Sequence, residues 1–298
     1  MLNCRDGSDE EDCRTVVRHV GYNKQLAPSP LPGDQHFYIN VSIDFRQILY
    51  IDEVENFIRI TFSLQKDWYD SSLTFQNLKR DKVNLIPQDD RNMIWEPLIT
   101  STNVESADKE KKTGEIYKVV PNSKFFFNIN NKTEINNAFL FKGLKLKFLR
   151  SNRCLLIILF QGSKNLLSQI RSWTSDHICT FNYAWYPFDT QSCQQELEFK
   201  DMAGNEIKMQ PINMVYTGSH DLGKYYFRQM HYCTVDKKGR SGLFTDFIIS
   251  RPLTSNCLTL FLPTAMLLLI SQMVTTFNKT YLEMVIEVNA TLLLVLTT

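Results

Sequence analysis

The chain has 298 residues, enough for one large domain or for one domain with a smaller companion. A formal net charge of +1, with 22% charged residues, offers no basic surface for nucleic acid and no strongly acidic one. Hydrophobic and aromatic contents of 43% and 12% exclude a disordered chain and suit a folded, β-rich one.

The first segment, MLNCRDGSDEEDC, is short, acidic and bounded by Cys4 and Cys13. It has no apolar stretch that could serve as an export signal, although a chain with the features described below should carry one in front. Residues 14–35 show little periodicity and carry Pro28, Pro30 and Pro32 near their end, so a linker is expected.

From His36 onward the pattern changes. YINVSIDFRQILYI and NFIRITFSLQKDWY alternate apolar and polar positions and are rich in β-branched and aromatic residues. SKFFFNIN, SCQQELEF and GLFTDFII do the same, and clusters such as PQDDRN and DKKGRSG separate the runs. Many short strands punctuated by turns predict a β-sandwich or barrel through Ser250. Sequons at Asn40 and Asn131 suit a glycosylated extracellular surface. One stretch interrupts the series. Leu-Phe-Lys-Gly at 140–143 recurs as Leu-Phe-Gln-Gly at 159–162, and the basic, apolar segment Gly143–Leu159 between them adds Cys154. It reads as inserted, through an unspliced intron or a gene-model error. A genuine insertion or a lipid-contacting strand is the alternative.

Leu253–Phe277 contains no charged residue and exceeds the roughly 20 apolar residues that cross a bilayer core, so a membrane helix is expected. After Asn278-Lys279-Thr280 a second apolar run covers Tyr281–Thr298. At about 100° per residue, Glu283, Glu287, Thr291, Leu294 and Thr298 fall on one face, and Asn289 points away. Carboxylates in a membrane helix are costly unless they face water, so this stripe reads as pore lining. An amphipathic interfacial helix is the alternative.

There are seven cysteines: Cys4, Cys13, Cys154, Cys179, Cys193, Cys233 and Cys257. Cys179 and Cys193 enclose thirteen residues, TFNYAWYPFDTQS. The interior Trp185-Tyr186-Pro187-Phe188-Asp189, followed by Gln191, closely resembles the signature loop of the Cys-loop receptors, the pentameric neurotransmitter-gated ion channels of nicotinic, glycine, GABA and invertebrate type. The resemblance extends over about residues 30–298. Asp67-Trp68-Tyr69-Asp70-Ser71-Ser72-Leu73 is similar to the family's Trp-x-Asp-x-Arg-Leu strand, with Ser72 where arginine is usual. Ile94-Trp95-Glu96-Pro97 is similar to its Trp-x-Pro loop, Arg251 stands where the family keeps a basic residue before the first membrane helix, and Pro263 falls inside that helix.

The resemblance implies a mainly β protein: an immunoglobulin-like β-sandwich that binds ligand outside the cell, followed by α-helical transmembrane segments. It implies a Cys179–Cys193 disulfide, which is permitted on the exported side of a membrane and closes a loop worth about 3 kcal/mol. Agonists of the family sit between subunits in aromatic boxes, for which Trp68, Phe75, Trp95, Tyr225, Tyr226 and Phe227 are the candidates. An amine cage is poorly supported, because KDMAGNEIK after Cys193 and the hairpin tip Asp236–Arg240 bring no aromatic residue. His177, His220 and His231 are candidates for sensitivity to protons or zinc. Coupling of ligand binding to the pore is expected at Asp52, Glu53, Tyr186, Pro187, Phe188, Asp189 and Arg251, with Arg251 paired to one of the carboxylates. Leu294 matches the gate leucine, five of which form an apolar constriction that closes by dewetting. Rings of Glu283 and Glu287 favour cations over chloride.

Cys4–Cys13 resembles the last loop of an LDL-receptor class A module, in which Asp6, Asp9 and Glu10 hold calcium. The partner cysteines of a complete module are missing, so no cofactor is expected here.

The expected organisation is therefore a partial LDL-receptor class A module at 1–13, a linker at 14–35, a ligand-binding domain at 36–251 with the inserted segment 143–159, and a transmembrane region at 252–298. The first helix of that region is expected at about 253–277 and the pore helix at about 281–298. The expected function is that of a channel subunit, multi-pass in the plasma membrane, assembled with homologous subunits into a pentamer and opened by an extracellular small-molecule or ionic agonist. The lipid bilayer is a partner and nucleic acid is not. A soluble or non-conducting ligand-binding homologue is one alternative, and a truncated subunit that silences intact ones is another. As the chain stops inside the pore helix, it is not expected to conduct alone. No metal cluster, nucleophile elbow or phosphate loop points to an enzyme.

Overall fold

The structure, a computed structural model, describes residues 16–76, 78, 83–104, 111–121, 144–148, 156–199, 207–237, 240–253, 258, 261–277 and 286–291. The chain divides into two units. The larger comprises residues to Cys179, Cys193–Gly218 and Met230–Asp246; the smaller comprises Thr180–Ser192, Ser219–Gln229 and Phe247–Thr298.

The alternation read from the sequence becomes the strands of the larger unit. In β2 (Phe37–Asp52) Ile39, Val41, Ile43 and Phe45 are fully buried, while the residues between them are exposed or half-buried. Asp52 closes the strand: its Oδ1 accepts the N–H groups of Val54 and Glu55, both at 2.9 Å, and Asn56 takes a left-handed φ of 58° that lets the chain reverse. β3 (Phe57–Trp68) returns antiparallel and pairs along its whole length with β10 (Leu166–Ile178), from Phe57↔Ile178 to Trp68↔Leu167. Three further strands complete a six-stranded sheet in the order β12-β2-β3-β10-β7-β5, with β5 Asn84–Leu85, β7 Lys111–Val120 and β12 Ile207–Tyr216. β12 runs parallel to β2 at its edge.

Two four-stranded sheets stand with it. One has the order β13-β14-β11-β6, from β6 (Ile99–Ser101), β11 (Thr190–Phe199), β13 (Tyr226–Lys237) and β14 (Arg240–Ser250). Within the larger unit it is tied to the six-stranded sheet by Met209 N–H donating to Ser241 Oγ at 3.1 Å and by the side-chain contact of His177 with Gln195. Trp95 fills the layer between strands, edge-on to Phe37 and Trp68 and tilted against Phe199. A sandwich built mainly of strands results, as the turn-punctuated pattern predicted.

The other sheet has the order β1-β4-β9-β8, with β1 Val16–Arg18, β4 Leu73–Gln76, β8 Leu144–Phe148 and β9 Leu156–Gln161. It takes in parts of two stretches singled out in the sequence. The stretch read as a linker carries β1, which pairs Val16↔Phe75 through Arg18↔Leu73, and Tyr22, whose hydroxyl donates to Asp70 Oδ2 at 3.0 Å and accepts Trp95 N–H at 2.8 Å. A three-residue strand is too short for periodicity to reveal. In the second case, β8 and β9 place part of the segment read as inserted in a hairpin, Leu144↔Phe160 to Phe148↔Leu156, and β9 in turn pairs with β4. Gly143 and residues 149–155, including Cys154, lie outside the described residues.

Among the described residues the smaller unit holds one long helix, Leu262–Phe277, here α2; α1 is the single turn Gln88–Arg91. Pro263 sits in the first turn of α2, where its missing N–H costs nothing. Sixteen residues rise about 24 Å, short of a hydrocarbon core of about 30 Å. Among the described residues no helix is long and apolar enough to cross a membrane. The helix expected from 253 includes residues 254–257, 259 and 260, which lie outside the described residues, as do Cys4, Cys13, Asp6, Asp9, Glu10, Asn131, Glu283, Leu294 and Thr298. Residues 286–291 are helical.

Candidate functional site

The loop between Cys179 and Cys193 is closed at its base by the disulfide, with Cα atoms 4.8 Å apart. Inside it, Gln191 works as a brace. Its Oε1 accepts Asn182 N–H at 2.8 Å and its Nε2 donates to Asn182 O at 2.9 Å, a paired bond that joins the two ends of the loop. Tight turns follow, Tyr186 N–H to Tyr183 O at 3.0 Å and Phe188 N–H to Trp185 O at 2.6 Å, and the Tyr186–Pro187 peptide is cis. These turns push the apolar side chains outward: Trp185 is 79% exposed, and Tyr186 and Phe188 are more than half exposed. Asp189 instead points inward and is buried.

Asp189 meets Arg251. Arg251 Nε donates to Asp189 Oδ1 at 2.8 Å, Arg251 N–H reaches Asp189 O at 3.4 Å, and Gln191 Nε2 donates to Asp189 Oδ2. The Arg251 guanidinium also donates to Tyr225 OH at 2.7 Å. It lies 5.0 Å from the centre of the Tyr186 ring and 4.6 Å from that of Tyr225, so one cation is held by a carboxylate and two aromatic faces. The side chains of Arg251 and Asp189 are 9% and 1% exposed. In so dry a setting removing one partner strands the other charge, at a typical cost of 3–5 kcal/mol, about that of losing a large core side chain. Two residues beyond the Tyr186 contact, Phe188 stacks on Phe261, immediately before α2, with centroids 5.7 Å apart and planes 17° apart. The cluster thus joins the Cys-bounded loop, the strand end at Ser250 and the start of α2.

Asp189 is thus a carboxylate partner of Arg251, and in the larger unit Asp52 Oδ1 caps its own turn.

The six aromatic candidates fall in the two units, three in each. Trp68, Phe75 and Trp95 are core residues of the larger unit, and Tyr225 and Phe227 are buried in the smaller one; Tyr226 alone of the six is exposed, at 40%. Tyr225 faces Arg251 rather than solvent.

A second polar cluster of the larger unit runs from the buried Lys66, Tyr117 and Gln169 to the partly exposed Glu96, Glu115 and Arg171. Lys66 Nζ donates to Glu96 Oε1 at 3.2 Å and to Pro97 O at 2.7 Å. Tyr117 OH donates to Glu96 Oε2, and Gln169 Nε2 lies 2.6–2.7 Å from Glu96, Glu115 and the Tyr117 hydroxyl. Arg171 pairs with Glu115. Burial lowers Lys66 to about 8 despite Glu96 beside it. Burial also pushes Glu96 upward, but the Lys66 ammonium and the bonds from Tyr117 and Gln169 outweigh it and hold its carboxyl below the usual range. The charges balance and neutralise one another, which makes this a structural layer.

The histidines separate in the same way. His177 is fully buried, with Nε2 at 2.8 Å from Ser175 Oγ and Nδ1 near Asn103 Oδ1 and Ser101 Oγ, and burial lowers it to about 4. His220 donates from Nδ1 to Phe227 O at 3.2 Å, and His231 is exposed on β13. Among the described residues no three His, Cys, Asp or Glu side chains gather into a group that could hold a metal. Asn40 is half-buried in β2, on the face opposite Ile39 and Val41. Glu287 and Thr291 are both exposed on the helical stretch 286–291, one turn apart, with Thr291 Oγ1 donating to Glu287 O at 2.7 Å.

Residues 11–131, about two-fifths of the chain, match the family model described as the neurotransmitter-gated ion-channel ligand binding domain. No curated protein matches the chain.

Proposed function

We propose that this chain is a subunit of a pentameric ion channel gated by an extracellular ligand, and that Arg251 couples its ligand-binding sandwich to its membrane helices. The observation that carries the reading is the Arg251 cluster: Asp189, Tyr186 and Tyr225 grip one guanidinium at the end of β14, and Phe188 stacks on Phe261 at the start of the apolar helix. The family match over residues 11–131 supports the ligand-binding part. α2 supports the membrane part: it has no charged residue, and Leu268, Leu269 and Ile270, which point to different sides, all carry exposed apolar side chains. By the helical period of the sequence, Glu287 and Thr291 share a face with Glu283, Leu294 and Thr298 in the proposed pore, whose carboxylates favour cations. Homologous subunits, a small-molecule or ionic agonist and the bilayer are the partners of this reading, and Asn40 and Asn131 are its glycan sites.

The mechanism follows from stiffness. Movement of the sandwich displaces the Cys-bounded loop, and the buried Asp189–Arg251 pair passes that displacement to the residues that enter α2. A double-mutant cycle over Asp189→Asn and Arg251→Gln tests it in the subunit carrying its native flanking sequence. The two single variants should lose agonist-evoked current, with a coupling energy of at least about 1.5 kcal/mol. Additive effects, or normal currents from Arg251→Ala at the cell surface, would refute the coupling role.

A further inference from the structure

The run Tyr225–Arg228 alternates strictly: Tyr225 and Phe227 are buried, Tyr226 and Arg228 exposed. Tyr225 uses its buried side to hold the Arg251 side chain. From the opposite face of the same run, Arg228 Nε donates to Ser250 Oγ at 2.6 Å, and Ser250 is the residue immediately before Arg251. Ser250 is 7% exposed, so its hydroxyl is fixed in a dry position. The Arg228 guanidinium lies 5.3 Å from the centre of the Tyr226 ring, two residues earlier on the same face, which orients it. His220 closes the other end of the run, since Phe227 N–H donates to His220 O at 2.7 Å and His220 Nδ1 to Phe227 O at 3.2 Å.

We propose that Arg228 is a positioning residue for Arg251, acting through Ser250. β14 ends at Ser250, and Arg251 and Pro252 after it belong to no strand, the Arg251 backbone being held by its 3.4 Å bond to Asp189 O. The last residue of a strand frays unless something ties it, and a charge-assisted bond from a neighbouring strand supplies that tie. With Ser250 fixed, the backbone and the side chain of Arg251 reach Asp189 from a constant origin. Without the tie the guanidinium has to find its three partners from a mobile base. The functional meaning of this arrangement rests on the reading of Arg251 as the coupling residue, but the arrangement itself can be measured without it.

The test uses the full chain in detergent micelles, labelled with ¹⁵N-arginine, and follows hydrogen exchange of the Arg251 Nε–H by NMR. Ser250→Ala removes one hydroxyl and should leave the fold intact; it is expected to raise the exchange rate about tenfold, as is Arg228→Gln. The double variant should exchange no faster than either single one, because both remove the same bond, and Arg228→Lys should restore part of the protection. Unchanged rates in both single variants, or additive rates in the double variant, would overturn the proposal. If the rates shift as expected while Arg251→Ala leaves channel currents normal, the positioning role stands and the coupling role of Arg251 falls.

Discussion

His177 shows how a single residue can set a response of the whole sandwich. It is completely buried, tilted against Phe62 and bonded to Ser175, and its basicity falls to about 4 because burial opposes the charged form. The unfolded chain takes up a proton at this residue as the pH drops below about 6.5, and the folded chain resists doing so. The stability it contributes is therefore whole above pH 6.5 and is lost as the pH falls towards 4, by up to ~3 kcal/mol. Urea midpoints compared at pH 7 and pH 4.5 should fall less steeply in His177→Gln than in the parent chain; equal slopes would remove His177 as the cause. Gly162 makes the opposite kind of demand, for space. A Cβ there would stand 2.0 Å from Asp70 O and 2.9 Å from Leu73 O, whose own bond from Gly162 N–H is 2.9 Å long. Gly162→Ala has to displace backbone and should cost at least about 2 kcal/mol. Gly21→Ala, at φ +86° but in open space, should cost about 1 kcal/mol. Thermal unfolding of the two variants decides it, and equal losses would contradict the close approach.

At the scale of elements, the Cys-bounded loop was legible and its surroundings were not. Trp-Tyr-Pro-Phe-Asp and Gln191 carry a pattern dense enough to be read from the sequence, and Asp189 and Gln191 turn out to be the residues that anchor it. The long strands were equally legible, because burial on one face writes a period of two into β2. β1 was hidden by its length, and Tyr22 by the fact that its partners Asp70 and Trp95 are 48 and 73 residues away. Tyr225 is a ligand candidate by its ring, and the bond that its hydroxyl accepts from Arg251 left no trace in the sequence. Arg228 gave no sequence signal at all, since an exposed arginine on a strand is ordinary until its partner is known. The disulfide belongs to this scale as well. Cys193→Ser opens a loop of sequence separation 14 and should cost about 3 kcal/mol, readable as a lower denaturation midpoint that matches the reduced parent. A variant as stable as the oxidised parent would mean that the brace of Gln191 suffices.

For the molecule as a whole, the larger unit carries most of a family match over residues 11–131, and the smaller one holds a buried ion pair and an apolar helix. The proposed pore can be tested with no knowledge of the agonist. A ring of Leu294 side chains is proposed to close the channel by dewetting, so a polar side chain there should let water and ions through at rest. The measurement is whole-cell current, without agonist, in cells expressing the subunit with its native flanking sequence and Leu294→Ser. The account predicts a standing current, absent from the parent, whose reversal potential follows the external cation. Surface pentamers that carry the substitution and show no standing current would contradict it.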